Sequence, residues 1–583
     1  MEFPLINAKP KTRQMVDAFM GYNHNLRIGD GEFYNMENMT SDYYPVLAPR
    51  TPRGVYATGV TATGIVAKES LCYIDGEYFV IGKDRVHMGL SEDTKSLTSM
   101  GAYVIIMPDR KYINTAKSGD TYEYGSIDEV HSTTADVVFT LCNISGEEYT
   151  NAETGAMAPS NPEDGSLWID TSTEPHTLKK YSTLNAIWVS IPTTYIKIRS
   201  TGIGTNLNRY DGVTLSGIVA TGIEYLNGSH ALWGCTEDEI IITGIIDKVT
   251  TQTASQGSVT VSRKMPDMDY VIESGNRLWG CRYGKNAQGE MINEIYSSKL
   301  GDFKNWNCFM NLSTDSYTVS CGSDGPFTGA ITHLGFPLFF KENCIHKVYG
   351  DIPANFRLQN TACRGVQKGS HKSLAIVNET LYYKSGSAVC AYDGSLPVEM
   401  SSALGDVRYT DAIACAYGNK YYISMKSSDG YSLFVYDTAK GMWHREDAIQ
   451  VDDLCAYLNE IYAIDHGTKD IITMLGSHQG TGEVVPWMVE TGLIGMSQPD
   501  MKYISKITVR LSLDAGAKID IGIQYDSIGD WMPVCEINST TLRSYSVPIL
   551  PRRCDHFRIR MSGQGKTRIY SVAKTLEQGS DVS

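Results

Sequence analysis

The sequence predicts an all-β protein built on a β-propeller of six to eight blades, seven being the best count. A small β insertion interrupts the propeller, and a C-terminal antiparallel β-sandwich follows it. Three observations predict this. Asn378, Asn419 and Asn459 each open a strand rich in Tyr or Ile, and their separations are 41 and 40 residues. Each of those strands is followed by a polar or Gly-containing turn and a second strand, and about four short strands per 40–50 residues is the period of a propeller blade. Helical periodicity is nearly absent along the chain. A single small sheet cannot bury both faces, whereas sheets packed around an axis bury them and leave only short edges. A string of unrelated hairpins in one or two sandwiches is the competing arrangement.

Taken in order, residues 1–60 read as an extended entry segment and 61–480 as the propeller. "SLCYIDGEYFVIG" (70–82) is a hairpin turning at Asp75-Gly76. "SHALWGCTEDEIIITG" (229–244) and "NRLWGCRYGKNAQGEMINEIYSS" (276–298) share Leu-Trp-Gly-Cys and read as two further units. "GFPLFFKENCIHKVYG" (335–350) is another, and units from Val377, Gly418 and Leu458 complete the series. Residues ~115–200 break the period. Turns at Asp164-Gly165 and Glu174-Pro175 separate Leu167-Trp168-Ile169 from Trp188-Val189, which marks a small β insertion. From 484 to 583, "YISKITVRLSL", "AKIDIGIQYD", "SYSVPIL" and "HFRIRM" alternate apolar and polar residues, with turns at Asp514-Ala515-Gly516 and Ser527-Ile528-Gly529. That pattern predicts the sandwich.

Composition narrows the function. The 583 residues are 42% hydrophobic and 20% charged, in the globular range. The formal net charge of −15 argues against a tight grip on nucleic acid, which depends on clustered Lys and Arg, but not against DNA passing by. The 36 Tyr against 14 Phe suit strands with one packed and one wet face. The 13 cysteines form no C-x-x-C, and Cys344, Cys390, Cys415 and Cys455 lie inside expected strands. They read as reduced, buried small side chains of a chain folded in a reducing cytoplasm. The opening residues hold no apolar secretory region, and no apolar run is long enough for a membrane span.

Several short motifs invite chemistry. Gly565-Lys566-Thr567 ends like a phosphate loop, but Arg560 stands where that motif needs glycine, so a hairpin turn is expected. Cys344 with His346, and Cys554 with His556, place a thiol and an imidazole on one strand face, without a second ligand pair at zinc-like spacing. Asp267 with Asp269, and Asp452 with Asp453, lack the spacing of a calcium loop. Glu237-Asp238-Glu239 reads as a turn. A glycosidase needs two paired carboxylates, and nothing singles out a pair among the 66 acids. No G-x-S-x-G occurs, and "GIGTNLN" lacks the third glycine of a dinucleotide loop. The expectation is therefore no catalytic, cofactor-binding or metal residue, no cofactor, and no enzyme.

One stretch carries a resemblance. In residues 293–350 a strand ends in Tyr296-Ser297-Ser298, Gly301-Asp302-Phe303 leads to Trp306, a loop with Asp315 follows, and then comes "ITHLGFPLFFKENCIHKVYG". In residues 19–54 a Gly-containing opening leads to Asn38 and then to Pro45, Leu47 and Arg50. This order of short words resembles the tail nozzle (tail tubular protein B) and packaged-DNA stabilisation, or tail hub, proteins of short-tailed bacteriophages. It covers residues 1–60 and 270–480, and "PEDGSLWIDTS" is similar to a module of phage structural proteins. The C-terminal sandwich does not map onto the family. The resemblance implies a structural virion protein of the tail, made in the host bacterial cytoplasm and assembled as a ring, usually of six copies, that retains and then conducts DNA. It implies portal or adaptor proteins above, tail fibre or tip proteins as neighbours, and genomic DNA passing through an acidic lumen, with the insertion and sandwich touching neighbours. A carbohydrate- or receptor-binding propeller of the tail tip, or a glycosidase-like propeller, stays open as an alternative.

Overall fold

The computed structural model describes residues 11–286, 289–478, 484–497 and 500–578. Residues 1–10 of the expected entry segment and 579–583 of the expected sandwich lie outside the described residues. The fold is all-β and of the propeller class, with a β insertion and a C-terminal antiparallel sandwich. Among the described residues the helical pieces are three-residue turns such as Glu224–Leu226.

Among the described residues, six four-stranded sheets and four successive strands of a larger sheet have the antiparallel form of a blade, seven units in all. In chain order they begin at Ala62–Ala67, Ser96–Met100, Tyr270–Ser274, Gly329–His333, Ala375–Val377, Thr410–Tyr417 and Val451–Tyr457. The repeat read from sequence has a clear physical form in the sixth. Lys420–Ser427 and Gly430–Asp437 pair from Lys420↔Asp437 to Ser427↔Gly430, and Gly430 has φ +112° at the turn. Tyr421, Ile423 and Met425 on one strand and Phe434 on the next are buried in a common core, as period-two alternation requires. The last blade draws its outer strand from far upstream: Gly54–Ala57 pairs with Ile471–Thr473.

Three differences from the sequence reading have physical causes. The expected entry segment does not run free, because extended backbone must satisfy its N–H and C=O groups. Lys11–Val16 pairs with Thr567–Gln578 at the sandwich edge, and Glu32–Glu37 pairs with Pro486–Thr491. Gly21–Tyr22 lies between Glu32–Glu37 and Met442–Arg445, so the sixth blade and one sandwich sheet form a single ten-stranded sheet. The insertion strands run from Glu129–Ser132 to Thr260–Arg263, beyond the expected end at 200, while the blade from Ser96 to Ser126 occupies the expected start. Finally, the expected unit 229–244 is not a blade. Gly228–Ala231 joins one sheet of the insertion, whereas Glu239–Thr243 joins another, setting Ile240 and Ile242 opposite Ile198 and Ile196. All four isoleucines are fully buried, and that gain outweighs the local hairpin.

The chain divides into two compact units. The first holds the residues up to Lys95, Phe339–Ile345, and those from Thr361 onward. Its sandwich packs Ile504, Ile507, Val509 and Leu511 of one sheet against Ile519, Ile521, Ile523 and Phe557 of the other. The resembling words of 19–54 lie here and form a charged knot. Asn38, at φ +57°, donates to the Pro486 carbonyl (2.8 Å) and accepts from Arg50 Nε (2.8 Å). Arg50 and Arg53 reach Asp447 at 3.0 and 2.7 Å, and Arg53 reaches Glu446 at 3.2 Å. Burial holds the Glu446 carboxyl above its usual range against the pull of Arg53 and Arg50.

The second unit is Ser96–Leu338 with His346–Asn360. The resembling words of 293–320 are built around buried Arg277. Its guanidinium donates to the carbonyls of Ser298 (2.8 Å), Asp315 (2.5 Å) and Ser313 (2.9 Å). Asp315, expected in an acidic loop, is itself buried. Its carboxylate accepts the N–H of Leu312 (3.0 Å) and of Met310, and so closes the loop.

Candidate functional site

In an up-and-down sheet, the turn between strands two and three and the crossing from strand four to the next blade lie at the same end. In the first unit, at the fifth and sixth blades, this end holds a cleft of about 690 Å³. The turn 385–388, between Thr380–Lys384 and Val389–Tyr392, forms one wall, and the crossing 400–409 forms the other. Ser401 Oγ accepts the Val389 N–H (3.0 Å) and ties the crossing to the blade.

The cleft is lined by charge of both signs. Lys384 ends an apolar strand and is only 3% exposed. It donates to the Ser385 carbonyl, and burial lowers its ammonium to about 8. Arg408 is exposed on the crossing, and Glu399 is paired with Arg364 at 3.0 Å. Burial pushes the Tyr409 phenol up to about 12, so it serves as a neutral hydrogen-bonding group. Such a lining suits a polar, hydroxyl-rich or charged ligand rather than an apolar one. Sequence reading missed the cleft. Lys384 closing the otherwise apolar "LYYK" was the available signal.

The motifs singled out from sequence lie apart from this cleft. Gly565-Lys566-Thr567 is the expected hairpin turn, between Phe557–Gln564 and Thr567–Gln578, with Gly565 at φ +77°. The Lys566 carbonyl accepts the Asp514 N–H (3.0 Å). Cys344 and His346 are buried, and His346 Nε2 is 2.7 Å from Ser323 Oγ. Cys554 is buried, and His556 lies between Asp555 (3.0 Å) and Ser527 (2.8 Å).

The acids are taken up by cations or backbone. Asp267 pairs with Arg110, and Asp269 with Arg282 at 2.7 Å. Asp452 pairs with His466 (2.7 Å) and Lys469, and Asp453 with Lys372 at 2.9 Å. Asp238 accepts the Gly202 N–H (2.7 Å), and Glu239 pairs with Arg199 at 2.9 Å. Glu237 precedes the Glu239–Thr243 strand. Among the described residues no group of three or more His, Cys, Asp or Glu is placed to hold a metal ion.

No family model matches the chain, and no curated protein does. Solved structures do. An exo-β-1,3-galactanase from Phanerochaete chrysosporium is 9% identical, with 52% of this chain and 95% of that chain covered, at a TM-score of 0.20. A Trypanosoma rangeli sialidase is 9% identical, with 90% and 96% covered, at 0.20. A Pyrococcus horikoshii acylaminoacyl peptidase is 9% identical, with 54% and 55% covered, at 0.23, so this chain spans about half its length. These matches correct one expectation. The similar structures are enzymes, so the reading of the chain as not an enzyme is withdrawn. Likeness at this level assigns no activity.

Proposed function

We propose that this chain is a structural component of a short-tailed phage tail, of nozzle or hub type, working as a ring of identical copies. In this reading portal or adaptor proteins sit above it, fibre or tip proteins beside it, and DNA passes through its lumen. The resemblance in 19–54 and 293–350 supports it, since those words build the Arg50–Asp447 knot and the Arg277-centred loop. The observation that carries it is an apolar surface on the insertion. Residues 152–190 form a separate four-stranded sheet with Ile169 and Leu178 buried beneath it. Its last strand, Ile187–Ser190, exposes Ile187 (53%) and Val189 (47%) at the sheet edge, on the face that carries Ile169 and Leu178, and Leu184 (91%) stands in the turn before it. Exposed apolar residues running along one edge strand and the turn before it offer a surface for assembly. Native mass measurement of the full chain tests the proposal: a closed ring, six copies expected, supports it, and a monomer at every concentration overturns it.

The cleft at Lys384 and Arg408 favours a second reading, a carbohydrate-binding or glycosidase-like propeller. Glycan-array binding and turnover of labelled glycans test it. Arg408→Ala is expected to abolish either signal, and no binding or turnover by the parent would end this reading.

A further inference from the structure

The strand Lys518–Tyr525 of the sandwich ends in a two-residue turn. Ile528 N–H donates to the Tyr525 carbonyl (3.2 Å), and Asp526 and Ser527 between them both lie at φ +54°. Such turns favour Asn-Gly, because side chains rarely adopt this left-handed backbone. Asp tolerates this backbone, and the blade turn Asn378-Glu379 adopts it too, so the turn itself is ordinary and its interest lies in what it positions. The turn is locked to the loop opposite. Asp526 Oδ1 accepts the N–H of Asp555 (2.7 Å) and of His556 (3.3 Å), and Asp526 N–H donates to the His556 carbonyl (3.0 Å).

This locking aligns three side chains. Ser527 Oγ is 2.8 Å from His556 Nε2, and His556 Nδ1 is 3.0 Å from Asp555 Oδ2. With the proton on Nδ1, His556 donates to the carboxylate and accepts from the serine hydroxyl. Those are the positions of nucleophile, base and orienting carboxylate, which are recognised by geometry rather than by order in sequence. The His556 hydrogen bond holds the Asp555 carboxyl below its usual range, as an orienting group requires. Ser527 is exposed, and its own N–H meets no acceptor among the described residues, leaving it free to hold an oxyanion. Ile528, 78% exposed, offers an acyl group apolar contact beside the serine.

The geometry points to an esterase site formed by Ser527, His556 and Asp555 on the C-terminal sandwich, acting on acyl esters that project from a large, solvent-exposed polymer such as an O-acetylated polysaccharide. The open setting of the serine selects a substrate that brings its ester to the surface. Ser527 Oγ attacks the ester carbonyl while its proton passes to His556 Nε2. The tetrahedral adduct collapses, the C–O bond to the alcohol breaks, and the leaving alkoxide takes that proton. Water then attacks the acyl-serine with His556 as base, releasing the carboxylic acid and restoring Ser527. The activity is independent of ring assembly and of the Lys384 cleft.

A fluorophosphonate probe on the native full chain tests it, alongside hydrolysis of p-nitrophenyl acetate and acetate release from an O-acetylated polysaccharide. One labelled serine, mapped by peptide mass to Ser527, is expected. Ser527→Ala should lose labelling and at least 100-fold in hydrolysis, and His556→Gln a similar factor, with unchanged thermal midpoints. Ser527→Cys, which keeps the turn, should exchange fluorophosphonate reactivity for rapid alkylation by iodoacetamide. Asp555→Asn should lower the rate and displace its pH profile. No labelling above a heat-denatured control, labelling elsewhere, or hydrolysis that persists in Ser527→Ala overturns the site. Hydrolysis of the small ester without acetate release from the polymer overturns the substrate class.

Discussion

At the residue scale, buried polar groups do most of the specifying. Arg277 is 2% exposed, and its donors end on three backbone carbonyls rather than on an acid. Arg277→Met would leave the Ser313 and Asp315 carbonyls without their donor, while Ser298 keeps the Ser297 hydroxyl, so a loss of about 3 kcal/mol is expected in denaturant unfolding. The strand holding Arg277 was legible in "NRLWG", but its inward turn was not, because alternation in a short strand does not mark a buried cation. His444 sets a pH limit. Burial lowers its imidazole to about 3, with Lys420 adding to the effect. The folded state therefore keeps it neutral while the unfolded chain binds a proton below about pH 6.5. Stability is fully present above that pH and falls by up to about 1.4 kcal/mol per pH unit as acid is added, down towards pH 3. His444→Gln should flatten this part of the urea-midpoint profile.

At the scale of elements, partner choice decides behaviour. Gly54–Ala57 completes the last blade, and a Cβ at Gly54 would meet the His478 carbonyl oxygen at 1.9 Å. Gly54→Val is expected to cost more than about 2 kcal/mol and to expose a blade edge, read as a lower thermal midpoint with aggregation. The insertion offers a cleaner excision. Cys142 and Tyr195 face each other in a continuous ladder, so replacing 150–192 with a short Gly-Ser linker keeps that sheet intact. A deletion of 120–195 would instead remove the strands that hold it together. The expected outcome is a folded chain with a lowered circular-dichroism melt, because Ile169 and Leu178 leave the core they share with Phe139 and Ile198, and loss of ring assembly by native mass measurement.

At the scale of the whole molecule, each copy carries a formal charge of −15. Like-charged copies repel, so assembly driven by an apolar sheet should strengthen as salt screens the charge. Sedimentation between about 0.05 and 0.5 M salt is expected to show a growing ring fraction. Leu184→Asp with Ile187→Asp should abolish the ring at all salts without moving the melt. Assembly that weakens with salt would instead assign the interface to ion pairs.

The sequence by itself determined the all-β class, the blade repeat from Asn378 to Asn459, the sandwich after 484 and the hairpin at Gly565-Lys566. Strand period and turn chemistry are local, and they survive whatever the strand pairs with. Only the tertiary structure decided that Gly54–Ala57 ends a blade more than 400 residues downstream. It alone took Glu239–Thr243 out of the repeat, sank Asp315 and Lys384, and set His556 against Ser527. A period of two states which face a strand buries, not which strand will cover it. Closing a longer loop costs only logarithmically more, so distant segments compete for partners on nearly equal terms.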